Sequence, residues 1–223
     1  MQGDFNKLST SNGMLGFDSL IGRSIVVIIK KNLAQNTLEK IENRVFEKFG
    51  TNLTQVSNDF PKLDLILREF FGDGANMMER QLLQHIISVQ QNKIEKKEGI
   101  TIEDQYINRI ILEAIGDDDK KNILNAVLDK PRVISEILEI CKIPQTSGYR
   151  KVNNLIQNGL LIINGHESTT DGRTINKYQP VFENIQIHVE RNKVTVQVQL
   201  RKEYLENSSI FTMHFQNLMT HIP

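Results

Sequence analysis

A chain of 223 residues, 39% hydrophobic and 24% charged, can bury a real core, which excludes wholesale disorder. The longest apolar run, Ile25-Val-Val-Ile-Ile29, is far too short to span a bilayer, and the first ten residues are polar, so neither a membrane anchor nor a secretory leader is expected. Cys141 is the single cysteine, which rules out an intrachain disulfide and points to a cytoplasmic setting.

The net charge of zero conceals an asymmetry. Residues 1–119 carry 14 basic and 18 acidic side chains, residues 120–202 carry 13 and 7, and residues 203–223 add only Glu203 and Glu206. A basic excess confined to one part of the chain suits a polyanion partner for that part, although an ordinary basic surface would look the same.

In chain order, residues 1–14 read as a polar, mobile tail. Phe17 to about Leu33 is dense enough in apolar residues for a buried helix. Asn36, with Glu39 three residues on, suits a capping box, and Leu38, Ile41, Val45, Phe46 and Phe49 follow at helical spacing to a terminating Gly50. A third helix spans about Phe60 to Phe71 and closes at Gly72-Asp73-Gly74. A longer one is predicted over Ala75–Lys97, with polar last turns that suit a connector.

Thr101, followed by Asp104, opens another helix to about Ile115, and Gly116-Asp-Asp-Asp119 marks the best boundary. Beyond it, Ile123, Leu124, Val127 and Leu128 form one apolar stripe. Pro131 separates that helix from Val133–Cys141, where Ile134, Ile137, Leu138 and Cys141 form another. Near the C-terminus, Ile185, Ile187 and Val189 alternate with polar residues, as do Val194, Val196, Val198 and Leu200. A two-residue loop at Arg191-Asn192 would pair Val189 with Val194, Ile187 with Val196 and Ile185 with Val198. Residues 203–223 remain an unplaced tail.

The segment from Pro131 to Pro180 carries the functional signal. After a short helix and a turn, Pro144 suits a helix start, and Thr146 and Ser147 stand in the first turn, where hydroxyls and backbone amides can grip a phosphate. Val152, Leu155, Ile156 and Leu160 make a buried side, leaving Gln145, Tyr149, Arg150 and Asn153 on or near the opposite flank. Gln, Asn and Arg are the side chains able to make paired hydrogen bonds to base edges. A solvated polar face is the plain alternative. The strands Leu161–Ile163 and Thr174–Tyr178 then frame a tip from Gly165 to Arg173, placing Arg173 to enter a minor groove or touch the backbone. Lys151 and Lys177 add charge without sequence preference.

Residues 120–182 resemble the winged helix-turn-helix of archaeal transcription regulators related to the ArsR and MarR families. The resemblance rests on Ser135-Glu136-Ile137, Cys141-Lys142-Ile143-Pro144, Thr146-Ser147-Gly148-Tyr149-Arg150 and Asn158-Gly159-Leu160. Lys142 replaces the glycine usual in the turn, and Gly148 replaces a branched residue at a helix-propensity cost of up to ~1 kcal/mol. Residues 17–90, through Phe46-Glu-Lys-Phe49-Gly50 and Phe70-Phe-Gly-Asp-Gly-Ala75, also resemble the helical module called the Nitrosopumilus output domain.

The resulting expectation is a mainly α chain with a smaller β part. Residues 15–98 form a helical regulatory domain, 99–119 a connecting helix and linker, 120–182 a winged helix-turn-helix and 183–202 a β-hairpin extension. The function implied is that of a non-enzymatic transcription regulator binding double-stranded DNA. Metals and cofactors are not expected: the histidines have no metal-ligand spacing, and Cys141 reads as a core thiol. Regulators of this shape are often homodimers, with the Ala75–Lys97 helix as a candidate seam, and the helical domain offers a place for a protein or small-molecule effector. The alternative is a winged helix serving as a protein-interaction module.

Overall fold

Apolar side chains at helical spacing build the first half of the molecule. In the computed structural model, which describes residues 16–91, 98–169 and 171–215, α1 (Phe17–Asn32) buries Phe17, Leu20, Ile21, Ile25 and Ile29. Each such side chain contributes about 1.5–3 kcal/mol when fully buried. Around it lie α2 (Gln35–Phe49), α3 (Leu53–Val56), α4 (Phe60–Phe71) and α5 (Gly74–Gln84). Gly22 allows α1 to press onto the end of α3, because a Cβ there would stand 2.0 Å from the Ser57 carbonyl oxygen.

Several local expectations change. α2 starts at Gln35, capped by Ala34, so Asn36 lies inside the helix and makes no capping box. Gly50 closes α2 with φ 65°, as its missing side chain permits. Phe46 is 68% exposed, so the apolar stripe of α2 is narrower than its sequence spacing suggests.

The helix expected over Ala75–Lys97 ends at Gln84. Residues Ile87–Gln91 form β1, which pairs antiparallel with β2 (Glu98–Ile102). Residues 92–97 of that expectation lie outside the described ones. Ile86 and Ile87 follow Leu82 and Leu83 at helical spacing, but Ile87, Val89, Ile100 and Ile102 also fit a two-residue period. The sheet wins because β-branched residues pack well on a pleated face and β2 gains a second partner. Thr101 therefore lies in β2, and the cap of α6 (Gln105–Gly116) is Asp104, whose carboxylate accepts the Ile107 amide at 2.9 Å.

The C-terminal part begins with α7 (Asp118–Ala126), capped by Asp117 and carrying Asp118 and Asp119 in its first turn. It continues through α8 (Ile134–Cys141), α9 (Gln145–Gln157), and the antiparallel strands β3 (Leu161–Ser168) and β4 (Thr174–Pro180). Next comes the hairpin of β5 (Phe182–Glu190) and β6 (Lys193–Leu200). Its register pairs Val189 with Val194, Ile187 with Val196 and Ile185 with Val198, as the alternation predicts.

That hairpin belongs to a larger sheet. β6 also pairs with β2, giving the order β1-β2-β6-β5, so the hairpin of β5 and β6 shares a sheet with β1 and β2. Val196, Val198 and Leu200 are buried with Ile100 and Ile102, and one hydrophobic cluster runs from α1 to the C-terminal helices. Over the described residues the chain is thus mainly helical with two small antiparallel sheets. Among the described residues no helix is long and apolar enough to cross a membrane.

The last described helices are α10 (Lys202–Asn207) and α11 (Ser209–His214), which return to the start of α1. The Asp18 amide donates to the Tyr204 hydroxyl at 2.7 Å, and the Tyr204 and Ser208 hydroxyls donate to the Asp18 carboxylate. Burial pushes the Asp18 carboxyl above its usual range, against the lowering effect of those hydrogen bonds. His214 of α11 lies 3.0 Å from the buried Glu79 carboxylate, with its ring edge-on to Phe60.

Two of the helical glycines, Gly22 and Gly116, should respond oppositely to alanine. Gly22→Ala is expected to destabilise by about 1–3 kcal/mol through its clash with the backbone of Ser57. Gly116→Ala, with nothing within 4 Å of the new Cβ, is expected to be neutral or to stabilise by up to ~1 kcal/mol. Denaturant midpoints of the two variants check both signs.

Candidate nucleic-acid interface

The seating of α9 starts from one missing side chain. A Cβ on Gly148 would lie 2.4 Å from Cδ2 of Leu138, so glycine lets α9 approach α8 with the Leu138 side chain left where it stands. Between them, Lys142 takes the left-handed conformation (φ 53°, ψ 37°), where glycine is the more usual residue. Its amide donates to the Glu139 carbonyl, and the Ile143 amide to that of Leu138. Ile143 then anchors the turn in the core.

Gly148, Val152 and Leu155 form the buried side of α9. Its C-terminal end is held separately. Gly159, at φ 68°, sits against the Gly16 carbonyl, and the Arg23 guanidinium donates to the Gln157 carbonyl at 2.8 Å. The helical half therefore meets the chain at the end of α9. The opposite flank is open: Gln145, Thr146, Arg150 and Asn153 are exposed, and Tyr149 is 43% exposed. Ser147 is half-buried, and its hydroxyl already donates to the Pro144 carbonyl at 3.1 Å.

The hairpin beyond α9 is longer than its sequence suggested. β3 runs to Ser168 rather than Ile163, through an irregularity at Asn164-Gly165, where Gly165 takes φ 99°. The expected tip of Gly165–Arg173 contracts accordingly. The Thr169 amide donates to the Arg173 carbonyl and the Gly172 amide to that of Thr169, so the turn closes on itself. Arg132 and Tyr178 exchange backbone hydrogen bonds, adding a single bridge to β4 that residue patterning did not signal.

The cations are arranged less simply than their sequence positions suggest. The Lys151 ammonium lies 2.7 Å from both Asp117 oxygens and 3.2 Å from Asp119, so its charge is spent inside the molecule. Lys177 pairs with Glu167 at 2.8 Å and Arg173 with Asp171 at 3.1 Å. Arg173 is 81% exposed at its side chain, and water screens exposed pairs of this kind, so a phosphate can compete for them. Arg150 has no hydrogen bond or ion pair among the described residues.

Sequence reasoning missed the acids that hold Lys151, because Asp117 stands 34 residues away and reaches it only through the packing of α7 on α9. Cys141 is half-buried on α8, and burial raises its thiol pKa, with a smaller push from Asp119. Comparisons with family models, curated proteins and solved structures found no match.

The Lys151–Asp117 pair sets a pH dependence. Its hydrogen bond to Lys151, then that from the Lys120 amide, holds the Asp117 carboxyl below its ordinary 3.8. A depressed carboxyl stabilises the folded state above the unfolded value, and that stability is lost as pH falls through the folded one. The stability gap between the wild type and Lys151→Met should therefore be full at neutral pH and close on acidification below 3.8. Urea titrations at several pH values read this directly; a gap that widens in acid would contradict it.

Proposed function

We propose that this chain is a sequence-specific, non-enzymatic regulator that binds double-stranded DNA through α9 and the β3–β4 hairpin, used as a winged helix-turn-helix. The observation that carries the reading is the one-sided burial of α9. Its apolar side is locked to α8 while Gln145, Thr146, Tyr149, Arg150 and Asn153 face solvent. A helix presented in this way fits the major groove, where bidentate Arg, Gln and Asn contacts discriminate bases by about 1–3 kcal/mol each. The short bridge from Arg132 to β4 and the hairpin that follows α9 support the same reading. The tip carries Arg173 toward a neighbouring groove or phosphate.

In this account Arg150 and Tyr149 read bases, Gln145 and Asn153 flank them, and Thr146 contacts the backbone. Lys177 and Arg173 supply charge after exchanging their carboxylate partners for phosphate. Lys151 is reassigned from a phosphate contact to a structural tie. The helical half, with a groove of about 590 Å³ lined by Val27, His85, Tyr106 and Arg109, is the place for an effector.

One observation favours a second reading. Of the four basic side chains expected at the interface, Lys151, Lys177 and Arg173 already have carboxylate partners. A winged helix used as a protein-interaction module needs no net positive face.

A binding selection from a random duplex pool, titrated at two salt concentrations, separates the two. The DNA reading expects enrichment of one motif and an affinity that falls by roughly 0.9 log units per log unit of salt for each phosphate neutralised. Arg150→Ala should then cost about 1–3 kcal/mol against the selected motif and much less against competitor DNA. Weak binding without a motif would favour the protein-interaction module.

A further inference from the structure

Among the described residues, the four-stranded sheet ends on an unguarded edge at β5. β5 has nine residues and contains neither proline nor lysine, and its one irregularity is confined to its start, between Phe182 and Asn184. Folded chains usually protect such an edge with those devices, because its unpaired amides and carbonyls are a template for another strand. On one face of the same hairpin, Ile187 is 39% exposed, Val189 68% and Val194 42%.

The backbone of β5 is in phase with that face. Glu190 and Lys193 close the two-residue loop, which makes them a hydrogen-bonded pair. Alternation along an antiparallel ladder then makes His188, Gln186 and Asn184 hydrogen-bonded to β6. It turns the amides and carbonyls of Ile185, Ile187 and Val189 outward. The outward-facing residues are therefore the apolar ones.

We propose that β5 pairs antiparallel with β5 of a second copy of this chain, about a two-fold axis at Ile187. That operator sets Ile187 opposite itself and Ile185 opposite Val189 of the second copy, matching outward donors with outward acceptors. On the other face Gln186 meets His188 and Asn184 meets Glu190, so no like charges are opposed. At each end Arg191 comes beside Glu183 of the second copy, a complementary charge pair. Aliphatic side chains opposed in this way stabilise the pairing and cover one another. The other edge strand, β1, has only five residues. The seam thus lies on the sheet rather than on a long helix after Ala75, and it is independent of any DNA contact.

Light-scattering mass against concentration, without nucleic acid, tests the proposal. The wild type should double its mass as concentration rises. Ile187→Pro removes an outward amide that the single chain does not use, so it should stay monomeric with unchanged circular dichroism. His188→Pro, which breaks an internal ladder bond, should lower thermal stability instead. In a Cys141→Ser background, Ile187→Cys should give an oxidised dimer, because hydrogen-bonded partners have Cα atoms ~5.5 Å apart. Gln186→Cys should not. A wild type that stays monomeric at every concentration, or a dimer that survives Ile187→Pro, overturns the proposal.

Discussion

The contact of Gly148 with Leu138 is the constraint on which the candidate interface depends. It draws α9 against α8 closely enough to bury Val152 and Leu155, and a side chain at that position would have to displace the Leu138 methyl groups. A helix fixed on one side by such an approach cannot roll to hide its polar flank. The left-handed turn at Lys142 and the seat of Gly159 on Gly16 fix its two ends in the same orientation. The exposed row of Gln145, Thr146, Tyr149, Arg150 and Asn153 is thus a consequence of packing.

The first and last described helices are also tied together. β6 pairs with β2, and the helices after it return to α1, where the Asp18 carboxylate collects the hydroxyls of Tyr204 and Ser208. The candidate interface and the helical half consequently share one core. A change in the groove beside Tyr106 and Arg109 has a continuous packed route to α9, through α6 and α7. Coupling along such a route would require an element with a second stable arrangement that both sites bias.

Much of the fold was legible because periodicity and punctuation agreed. Phe60–Phe71 and its closing Gly72, the α8 stripe and the β5–β6 register could all be read from spacing alone. The failures fall where two periods overlap or where distance in sequence hides a contact. Ile86 and Ile87 continue the α5 stripe, yet Ile86 lies in the turn after α5 and Ile87 opens β1, which pairs with β2. Asp117 and Lys151 are both ordinary surface residues until α7 is laid on α9. Gly148 looked like a flaw in helix propensity, and three dimensions make it the reason that α9 can dock. Among the candidate residues, the exposed flank was legible because its buried complement was. The internal pairing of Lys151, Lys177 and Arg173 was not.

The most direct measurement is an amide-resolved NMR titration of the labelled protein with a short random-sequence duplex at low salt. The account requires the largest shifts at Gln145, Thr146, Tyr149, Arg150 and Asn153 and around Arg173, with the α1–α4 helices unperturbed. Absence of shifts on that flank at saturating duplex, or shifts centred on the helical half, would contradict it.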